Sequence, residues 1–399
     1  MLPYGRQSIE EDDIAAVVAV LRSNYLTTGP AVEAFEQALA ARVGARHAVS
    51  CSSGTAALHL AVIALDLGPG DSAVVPAMTF MATANAVRLT GAEVVFADVD
   101  AESGLMRPAD FDQALERVGR NRGRLVLPVH LNGQTADMAG LADIASARGL
   151  ALVEDAAHAI GAVTDEAGEG PTPVGSCRHS SMTIFSFHPV KTITMGEGGA
   201  VTTNDATVAA RLRRLRNHGI TREPAEIIDR AGAFDSSGTL NPWYYEMHEP
   251  GLNYRASDIH CALGLNQLGK LDRFVAKRRS LVARYDALLA GLAPLLRPVT
   301  RVPVCAPAWH LYPVLIDFAA LGLERAAVMR KLQEKGVGTQ VHYLPLHRQP
   351  YYRHRYGELS LPGVEAYYAR EVSLPLFVGM EEADVDRVVE VISSILSAA

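Results

Sequence analysis

The stretch of sequence that decides the fold covers residues 181–199 and reads SMTIFSFHPVKTITMGEGG. Its beginning is rich in β-branched and aromatic residues, which predicts a buried strand at residues 181–187. Lys191 follows the end of that strand, and a glycine-rich turn follows the lysine. Functional groups collect at the carboxyl ends of strands in parallel sheets. We therefore expect Lys191 to face a binding site.

Lysine is rare in this chain, which makes the position of Lys191 informative. Lys and Arg together number 37, of which five are lysines, and Lys191 is the single lysine among the first 269 residues. Codon bias is the simplest explanation of the arginine excess. A lysine at a dry strand end has a lowered pKa, because desolvation disfavours its charge, and the neutral amine can form a Schiff base. Arginine cannot, since its guanidinium stays charged. The alternative is an ordinary surface lysine after a strand.

On both sides of this stretch, short apolar runs alternate with helical patterns. Apolar strands that alternate with helices indicate an α/β fold, with a mostly parallel sheet covered by helices on both faces. The predicted strands are residues 47–50, 72–75, 93–97, 124–129, 151–154 and 181–187. The predicted helices of this part are residues 8–23, 30–43, 55–65, 82–90 and 141–148.

The pattern changes after residue 220. Residues 221–251 are interpreted as a loop excursion or lid, and a long helix is predicted from residue 257 to about residue 292, with residues 270–279 as its solvated basic part. Beyond residue 303, we predict strands at residues 311–316 and 339–343 and helices at residues 325–335 and 381–396. We therefore expect a large α/β domain at residues 1–269, followed at residues 270–399 by a long-helix linker and a smaller C-terminal α+β domain.

Composition and charge exclude several classes of protein. The net charge of −7 argues against a general binder of nucleic acid. The four cysteines are far apart in sequence and include no C-x-x-C pair, so they suggest neither a zinc site nor a disulfide framework. The N-terminus lacks the pattern of a signal peptide, and no stretch of about 18 apolar residues predicts a membrane span. These features predict a cytoplasmic protein without a metal centre.

Residues 52–57, SSGTAA, open a predicted helix and could hold an anion. Small residues at a helix N-terminus let backbone N–H groups approach a phosphate, and Ser53 and Thr55 add hydroxyl donors. The alternative is an ordinary helix cap, which serine and threonine favour. The segment at residues 251–258, GLNYRASD, raises the same two explanations for Asn253, and by itself it is better explained by capping.

A carboxylate and a histidine follow the strand predicted at residues 151–154. Asp155 would point into the cleft above the sheet, although an aspartate here is explained equally well as the cap of the next helix. His158 by itself is better explained as a structural histidine. Taken together with Lys191, however, these groups match the needs of pyridoxal phosphate, which are an amine for its aldehyde, an acid for its ring nitrogen, a helix N-terminus for its phosphate and a flat apolar group for its ring. Phe80 is the candidate for the last of these.

Six segments carry a resemblance to a known family, namely SSGTAALHLA, PAMTFMATANAV, VEDAAHAIGA, FSFHPVKTITMGEGGAVTTND, LRNHGI and LNYRASDIHCALGLNQL. With them, essentially the whole chain resembles the sugar aminotransferases of the DegT/DnrJ/EryC1/StrS family. These are pyridoxal phosphate enzymes of fold type I. The resemblance implies a mostly parallel sheet of the seven-stranded type between helices, with a smaller C-terminal α+β domain.

The resemblance also implies pyridoxal 5'-phosphate as the cofactor and a role for each matching residue. Lys191 would form the Schiff base and move a proton, Asp155 would keep the pyridine nitrogen protonated, and His158 would face the phenolic oxygen of the ring. The residues implied in cofactor binding are Ser53, Gly54, Thr55, Phe80, Asp155, His158, Ser186, Lys191 and Asn253. Asn253 would reach the cofactor phosphate of the partner subunit, so a homodimer with shared active sites is expected.

Substrate contacts are implied by similar segments, at Tyr4, Asn24, Tyr25, Leu26, Thr27, Gln340, His342 and Tyr343. The segments YGRQSI, WYYEMHEPGLNYR and QVHYLPLHRQPYY resemble family members that act on a UDP-linked 4-keto-6-deoxy-N-acetyl-hexosamine. The implied reaction moves an amino group from L-glutamate to the C4 ketone of that nucleotide sugar. It would serve bacterial surface or flagellar glycans of the pseudaminic acid type.

Other functions share parts of this pattern. A sister transaminase of the GDP-perosamine, dTDP-amino sugar or UDP-bacillosamine type would carry the same motifs. A 3-dehydratase on the same fold has histidine in place of the lysine, so Lys191 argues against it. A non-catalytic regulatory or scaffold protein would not need Lys191, Asp155 and the anion segment together.

Overall fold

A seven-stranded sheet lies at the centre of the computed structural model, which describes residues 1–118, 122–165, 168 and 170–397. In chain order the strands are β1 His47–Cys51, β2 Asp71–Pro76, β3 Glu93–Ala97, β4 Arg122–Val126, β5 Ala151–Asp155, β6 Val163–Thr164, β7 Thr172–Pro173, β8 Met182–Ser186, β9 Gly199–Thr203, β10 Ile220–Thr221, β11 Glu246–Met247, β12 Leu296–Pro298, β13 Cys305–Ala306, β14 Tyr312–Ile316 and β15 Glu371–Leu374. The spatial order in the central sheet is β1-β9-β8-β5-β4-β2-β3.

The central sheet is mostly parallel, as the apolar strands predicted. Strand β9 runs antiparallel to both of its neighbours, β1 and β8, and the remaining pairs of this sheet are parallel. Strands β2 and β8 are buried along their whole length, which explains their apolar composition. The predicted α/β fold class is confirmed, although the sequence did not predict β9.

The described residues form helices, several of which pack against the central sheet. They are α1 Glu11–Leu21, α2 Pro30–Val43, α3 Gly54–Ala64, α4 Met81–Leu89, α5 Pro108–Leu115, α6 Met138–Ala147, α7 Ala206–Leu215, α8 Arg230–Ala233, α9 Asp258–Leu268, α10 Leu271–Leu289, α11 Phe318–Leu321, α12 Arg325–Glu334, α13 Pro350–Tyr356, α14 Pro362–Arg370 and α15 Glu382–Ser397. Within the part of the chain that the structure describes, no helix is both long and apolar enough to cross a bilayer.

The long helix predicted at residues 257–292 is wrong, because the chain breaks between α9 and α10. Gly269 and Lys270 form the break, and glycine is a poor helix former. The Lys270 ammonium lies 2.6 Å from a carboxylate oxygen of Asp12 and 2.8 Å from one of Asp13. Ion pairs with α1 therefore hold Lys270 in place at the break.

The interpretation of residues 270–279 as a solvated basic surface is wrong for two of its cations. Lys270 is buried against α1. Arg278 is buried too, and its Nη1 donates hydrogen bonds to the carbonyl oxygens of Trp309, His310 and Leu376. A periodic cation pattern does not reveal such partners, since they come from distant parts of the chain.

Buried apolar residues of the described part of the chain form three clusters. One surrounds the central sheet, a second lies beyond residue 280 and includes Tyr285 and Tyr312, and a third includes Phe35 and Phe274. The first cluster also takes in Tyr367 from the C-terminal part. The division of the chain at residues 269 and 270 stays a prediction.

Two further predicted segments can be compared with the structure. Residues 221–251 are mostly irregular, and the β10–β11 pair joins the two ends of this excursion. The strand predicted at residues 339–343 is wrong, because the backbone pairs there only through an isolated bridge between Gln340 and Ser373. The side chain of Glu371 takes the N–H of His342, which ends regular pairing.

Candidate active site

Elements of the central sheet bring the predicted site residues to one edge. Strand β5 ends at Asp155, β8 ends at Ser186, and Lys191 follows β8 after a short turn. Helix α3 begins at Gly54, shortly after β1. Because β1, β5 and β8 run in the same direction, their carboxyl ends meet at one edge. A cavity of about 450 Å³ opens there.

Most of the predicted residues line this cavity. They are Ser53, Gly54, Thr55, Phe80, Asp155, His158, Ser186 and Lys191 from the cofactor set, and Tyr4, Gln340, His342 and Tyr343 from the substrate set. Asn253 and residues 24–27 do not contribute to its lining. The fold thus brings the cavity-lining residues of both sets together, while the role of each residue remains a prediction.

The Asp155 carboxylate is buried and held by two donors. The hydroxyl of Thr83 donates to Oδ2 at 2.7 Å, and the N–H of Ala157 donates to Oδ1 at 3.1 Å. Burial raises the pKa of Asp155 above its ordinary value, while both donors and the charge of Lys191 oppose that rise. A cationic group in the cavity would favour the ionised carboxylate further.

Lys191 has the electrostatic setting that its place after β8 predicted. Burial lowers the pKa of its ammonium to about 8, against the opposing charge of Asp155. An exposed lysine has a pKa of about 10.4, so Lys191 offers far more neutral amine near neutral pH. The neutral form is the nucleophile that attacks carbonyl groups.

The N-terminus of α3 approaches β8 and β9 very closely. Ser53 caps the helix, since its Oγ accepts the N–H of Ala56 at 3.1 Å. A Cβ atom at Gly54 would lie 2.7 Å from the Cβ of Ser186, and one at Gly199 would lie 2.3 Å from the carbonyl oxygen of Ser53. Glycine at both positions therefore lets the first N–H groups of α3 lie beside the Ser186 hydroxyl. Such a group of donors suits a phosphate.

His158 has a partner on each ring nitrogen. The N–H of Asn132 donates to Nδ1 at 3.3 Å, and Nε2 lies 3.0 Å from the hydroxyl oxygen of Tyr343. Burial, with the charge of Lys191, lowers the pKa of His158 well below its ordinary value, so the ring is neutral. A backbone N–H can only donate, which places the ring proton on Nε2. Nε2–H then donates to Tyr343, whose own proton is left for another acceptor.

Phe80 lies at the cavity mouth and is half exposed. Its ring centroid is 5.7 Å from that of Tyr343, with the rings tilted by 53°. The Phe80 ring is therefore accessible to a flat group in the cavity, which stacking on a cofactor ring would require.

Thr83 and His310 are among the cavity residues that the sequence did not reveal. Thr83 lies on α4, where a threonine gives no sign of contacting Asp155. His310 is buried beside His158, with 4.5 Å between ring centroids, and its Nδ1 has no hydrogen-bond partner among the described residues. No recognisable motif surrounds His310, so only the fold reveals it.

The side chains present fit pyridoxal phosphate. One cavity is lined by the Lys191 amine, whose pKa is lowered, and by the buried Asp155 carboxylate. It is also lined by the start of α3, where Gly54 has no Cβ atom to block the backbone N–H donors, and by the half-exposed ring of Phe80. These groups match the aldehyde, ring nitrogen, phosphate and ring face of that cofactor.

The sequence model of the DegT/DnrJ/EryC1/StrS aminotransferase family matches residues 7–393. The chain belongs to this family. Like the other members, this sugar aminotransferase depends on pyridoxal phosphate, and the predicted family, enzyme class and cofactor are confirmed.

Solved structures of similar proteins cover this aminotransferase almost completely. Helicobacter pylori PseC, an aminotransferase involved in the biosynthesis of pseudoaminic acid, is 25% identical, with a TM-score of 0.88 over 100% of both chains. The putative sugar aminotransferase Spr1654 from Streptococcus pneumoniae, in its PLP form, is 28% identical, with a TM-score of 0.86 over 100% of this chain and 99% of that one. DesV from S. venezuelae is 32% identical, with a TM-score of 0.82 over 96% and 94%.

The predicted residues outside the cavity lie on the surface of this sugar aminotransferase. Asn253 is exposed and joins Asn217 through a backbone bridge. Tyr25 and Leu26 are exposed, as are their neighbours Asn24 and Thr27. The contact of Asn253 with the cofactor of a partner subunit and the contacts of residues 24–27 with substrate remain predictions.

Proposed function

We propose that this enzyme transfers an amino group from L-glutamate to the C4 ketone of a UDP-linked 4-keto-6-deoxy-N-acetyl-hexosamine. The product would enter a bacterial surface or flagellar glycan of the pseudaminic acid type, and the reaction would take place in the cytoplasm. The full-length similarity to PseC, with a TM-score of 0.88, supports this substrate. The observation that carries the transamination itself is the presence of Lys191 and Asp155 in one cavity.

When bound, pyridoxal phosphate supplies an aldehyde that condenses with amines and a ring that accepts electrons. In this proposal the Lys191 amine would hold the cofactor until the amino donor replaces it. The freed amine would then carry the α-proton of the donor to a carbon atom of the cofactor. Asp155 keeps the ring nitrogen protonated, because a buried carboxylate stabilises a neighbouring cation. Thr83 and the N–H of Ala157 hold that carboxylate in place.

The phosphate would be held where α3 meets β8. The backbone at Gly54 and Thr55 and the hydroxyl of Ser186 provide donors, and the helix N-terminus favours negative charge. Phe80 would cover one face of the ring. His158 would act by orienting Tyr343, since both of its ring nitrogens are occupied. The hydroxyl of Tyr343 would then donate its proton to an oxygen in the cavity.

The proposal includes a homodimer with shared active sites. It is supported by the exposed positions of Asn253, Tyr25 and Leu26, which the family resemblance assigns to cofactor or substrate contacts. A monomer leaves these residues without a ligand. Mixing two inactive variants, Lys191→Ala and Asn253→Ala, would restore part of the activity if subunits exchange and share sites.

An assay of several nucleotide-linked 4-keto-6-deoxy sugars with L-glutamate tests the substrate. We expect turnover with the UDP-linked N-acetyl sugar and a C4 amine in the product by NMR. Turnover with only GDP- or dTDP-linked sugars would contradict the proposal and identify a sister transaminase. Bleaching of the visible cofactor absorbance by each amino acid in turn tests L-glutamate as the donor.

A further inference from the structure

Three buried side chains form a closed hydrogen-bonded ring behind the cavity wall. His342, which lines the cavity, has its Nδ1 2.8 Å from the Ser373 hydroxyl oxygen. That hydroxyl lies 2.6 Å from Oε1 of Glu371, and Oε2 of Glu371 accepts the backbone N–H of His342 at 2.9 Å. Glu371 and Ser373 have no exposed surface. Neither side chain lines the cavity, so only His342 connects this ring to a ligand.

The backbone explains why these residues meet. Gln340 and Ser373 form an antiparallel bridge, with N–H to carbonyl bonds in both directions. Continuing that register would pair His342 with Glu371. The Glu371 carboxyl replaces the backbone carbonyl as the acceptor for His342. A side chain that can gain or lose a proton therefore occupies a position where a strand would have a fixed acceptor.

The ring has two self-consistent proton arrangements. If Glu371 is ionised, it accepts the Ser373 proton, Ser373 accepts Nδ1–H, and Nε2 of His342 is a bare acceptor. If Glu371 is protonated, it donates to Ser373, Ser373 donates to Nδ1, and Nε2 carries the proton. Every buried polar atom of the ring is satisfied in both cases. The two arrangements differ at the cavity in whether His342 accepts or donates.

We propose that Glu371 acts through Ser373 as a positioning residue that sets whether His342 accepts or donates a hydrogen bond in the cavity. In the protonated arrangement, His342 donates to a substrate oxygen, such as a ketone or carboxylate oxygen. In the ionised arrangement, it accepts from a hydroxyl or an amide N–H. The assignment of that oxygen to a keto sugar or to L-glutamate rests on the function proposed above, whereas the proton arrangement itself does not.

The charges around the ring support a protonated Glu371 at neutral pH. Burial raises the pKa of its carboxyl to about 8, although Arg325, whose guanidinium donates to the Glu371 carbonyl at 3.3 Å, opposes this rise. Tyr367 and Tyr343 also face Glu371, and burial keeps both phenols neutral by raising their pKa values. Burial and the charge of Lys191 lower the pKa of His342 to about 3, so its ring is neutral in either arrangement.

Nitrogen NMR of the full-length holoenzyme labelled with 15N-histidine tests the proposal without substrate. The His342 signal is assigned by its loss in His342→Gln. We expect the proton on Nε2 at about pH 6 and on Nδ1 at about pH 9.5, on the two sides of the Glu371 ionisation. The same tautomer at both pH values would overturn the proposal.

Two variants separate control by Glu371 from a purely structural role. In Glu371→Gln, the amide oxygen accepts the His342 N–H and the amide N–H donates to Ser373, so we expect Nε2–H at both pH values. In Ser373→Ala, the connection is cut, and the tautomer should no longer follow pH. A variant that still switches as the wild type does would contradict the proposal.

Kinetics provide a second readout. For the wild type we expect KM of one substrate to rise roughly five- to tenfold from neutral to alkaline pH, the effect of one hydrogen bond, with a smaller change in kcat. In Glu371→Gln that rise should be absent, and its persistence would contradict the proposal. Failure of the proposed sugar as a substrate would leave the NMR result intact, so the two proposals can fail separately.

Discussion

The hydroxyl of Thr83 donates a 2.7 Å hydrogen bond to Oδ2 of Asp155, across 72 residues of sequence. This bond lowers the pKa of Asp155 against the effect of burial. It therefore connects helix α4 to the ionisation of the carboxylate that the proposed chemistry needs.

Replacing Thr83 with valine removes the donor and keeps the shape of the side chain. The pKa of Asp155 should rise, so the acid limb of the kcat/KM profile should move to higher pH. A hydrogen bond to a charged group contributes about 1.5–3 kcal/mol, which corresponds to a loss of roughly 10- to 150-fold in rate. Asp155→Asn should bind the cofactor and lose more activity. An unchanged pH profile in Thr83→Val would show that the bond does not control Asp155.

Replacing Lys191 with alanine should abolish the absorbance of the Schiff base between enzyme and cofactor, because no other lysine is proposed to bind the cofactor aldehyde. Treatment with borohydride followed by mass spectrometry should find the cofactor on the peptide of residue 191 in the wild type alone. Lys331→Ala, which changes an exposed lysine of α12, is the matched control and should keep the absorbance. A reducible lysine adduct in Lys191→Ala would refute the assignment.

Reconstitution of the apoenzyme should depend on pH in a defined direction. Burial lowers the pKa of Lys191 to about 8, so its amine is protonated below that pH and nucleophilic above it. The rate at which visible absorbance appears should increase with pH up to about 8 and then level off. An unshifted lysine would let the rate increase further, to about pH 10.4. Stopped-flow absorbance distinguishes these two curves.

Replacing Gly199 with alanine should weaken cofactor binding. Its Cβ would lie 2.3 Å from the Ser53 carbonyl oxygen, so the start of α3 must move. We expect the Kd of the cofactor to rise at least tenfold. Tm should fall as well, because the free energy of unfolding decreases by about 1–3 kcal/mol. Gly68→Ala is the control, because its Cβ meets nothing within 4 Å. Equal cofactor affinity in both variants would argue against a phosphate site at α3.

Replacing Tyr343 with phenylalanine keeps the ring that contacts Phe80 and removes the hydroxyl. The Nε2–H of His158 then loses its acceptor, and the cavity loses a donor. We expect kcat to fall about tenfold, the scale of one or two hydrogen bonds, with the visible absorbance retained. Tyr351→Phe, at an exposed tyrosine, should leave kcat near the wild-type value. A normal kcat in Tyr343→Phe would remove the hydroxyl from the proposal.

Local patterns predicted the parts of the site that lie on continuous segments. One stretch of sequence, residues 181–199, contains the strand that ends near Ser186, the following Lys191 and the glycine-rich turn. The sequence allows two explanations of Asp155, a cleft carboxylate or the cap of a following helix. Asp155 lines the cavity, and its Oδ1 accepts the N–H of Ala157, but residues 157–161 form a turn, so the helix-cap explanation is wrong. Periodicity and turn composition suffice for such features, because their causes lie within a few residues.

Features that depend on distant partners could not be predicted. Lys270 looked like part of a solvated helix surface, yet carboxylates of Asp12 and Asp13 hold it at a helix break. The predicted strand at residues 339–343 has the right composition, but a carboxylate takes the N–H of His342. In both cases a tertiary contact overrides the local preference for a helix or a strand. A single sequence does not show which distant side chain will make that contact.

The position of Gly199 has a consequence for how this site can diversify. Gly199 pairs with Cys51 on one side and with Ser186 on the other, so it lies between the strands that lead to the two proposed phosphate-binding segments. The separation of those strands equals two strand spacings, roughly 9.5 Å. Backbone hydrogen bonds of the ladder set this separation, so it does not depend on the size of the side chains. Residues 340–343 also line the cavity but are free of a regular ladder, so changes there can alter the substrate without disturbing this spacing.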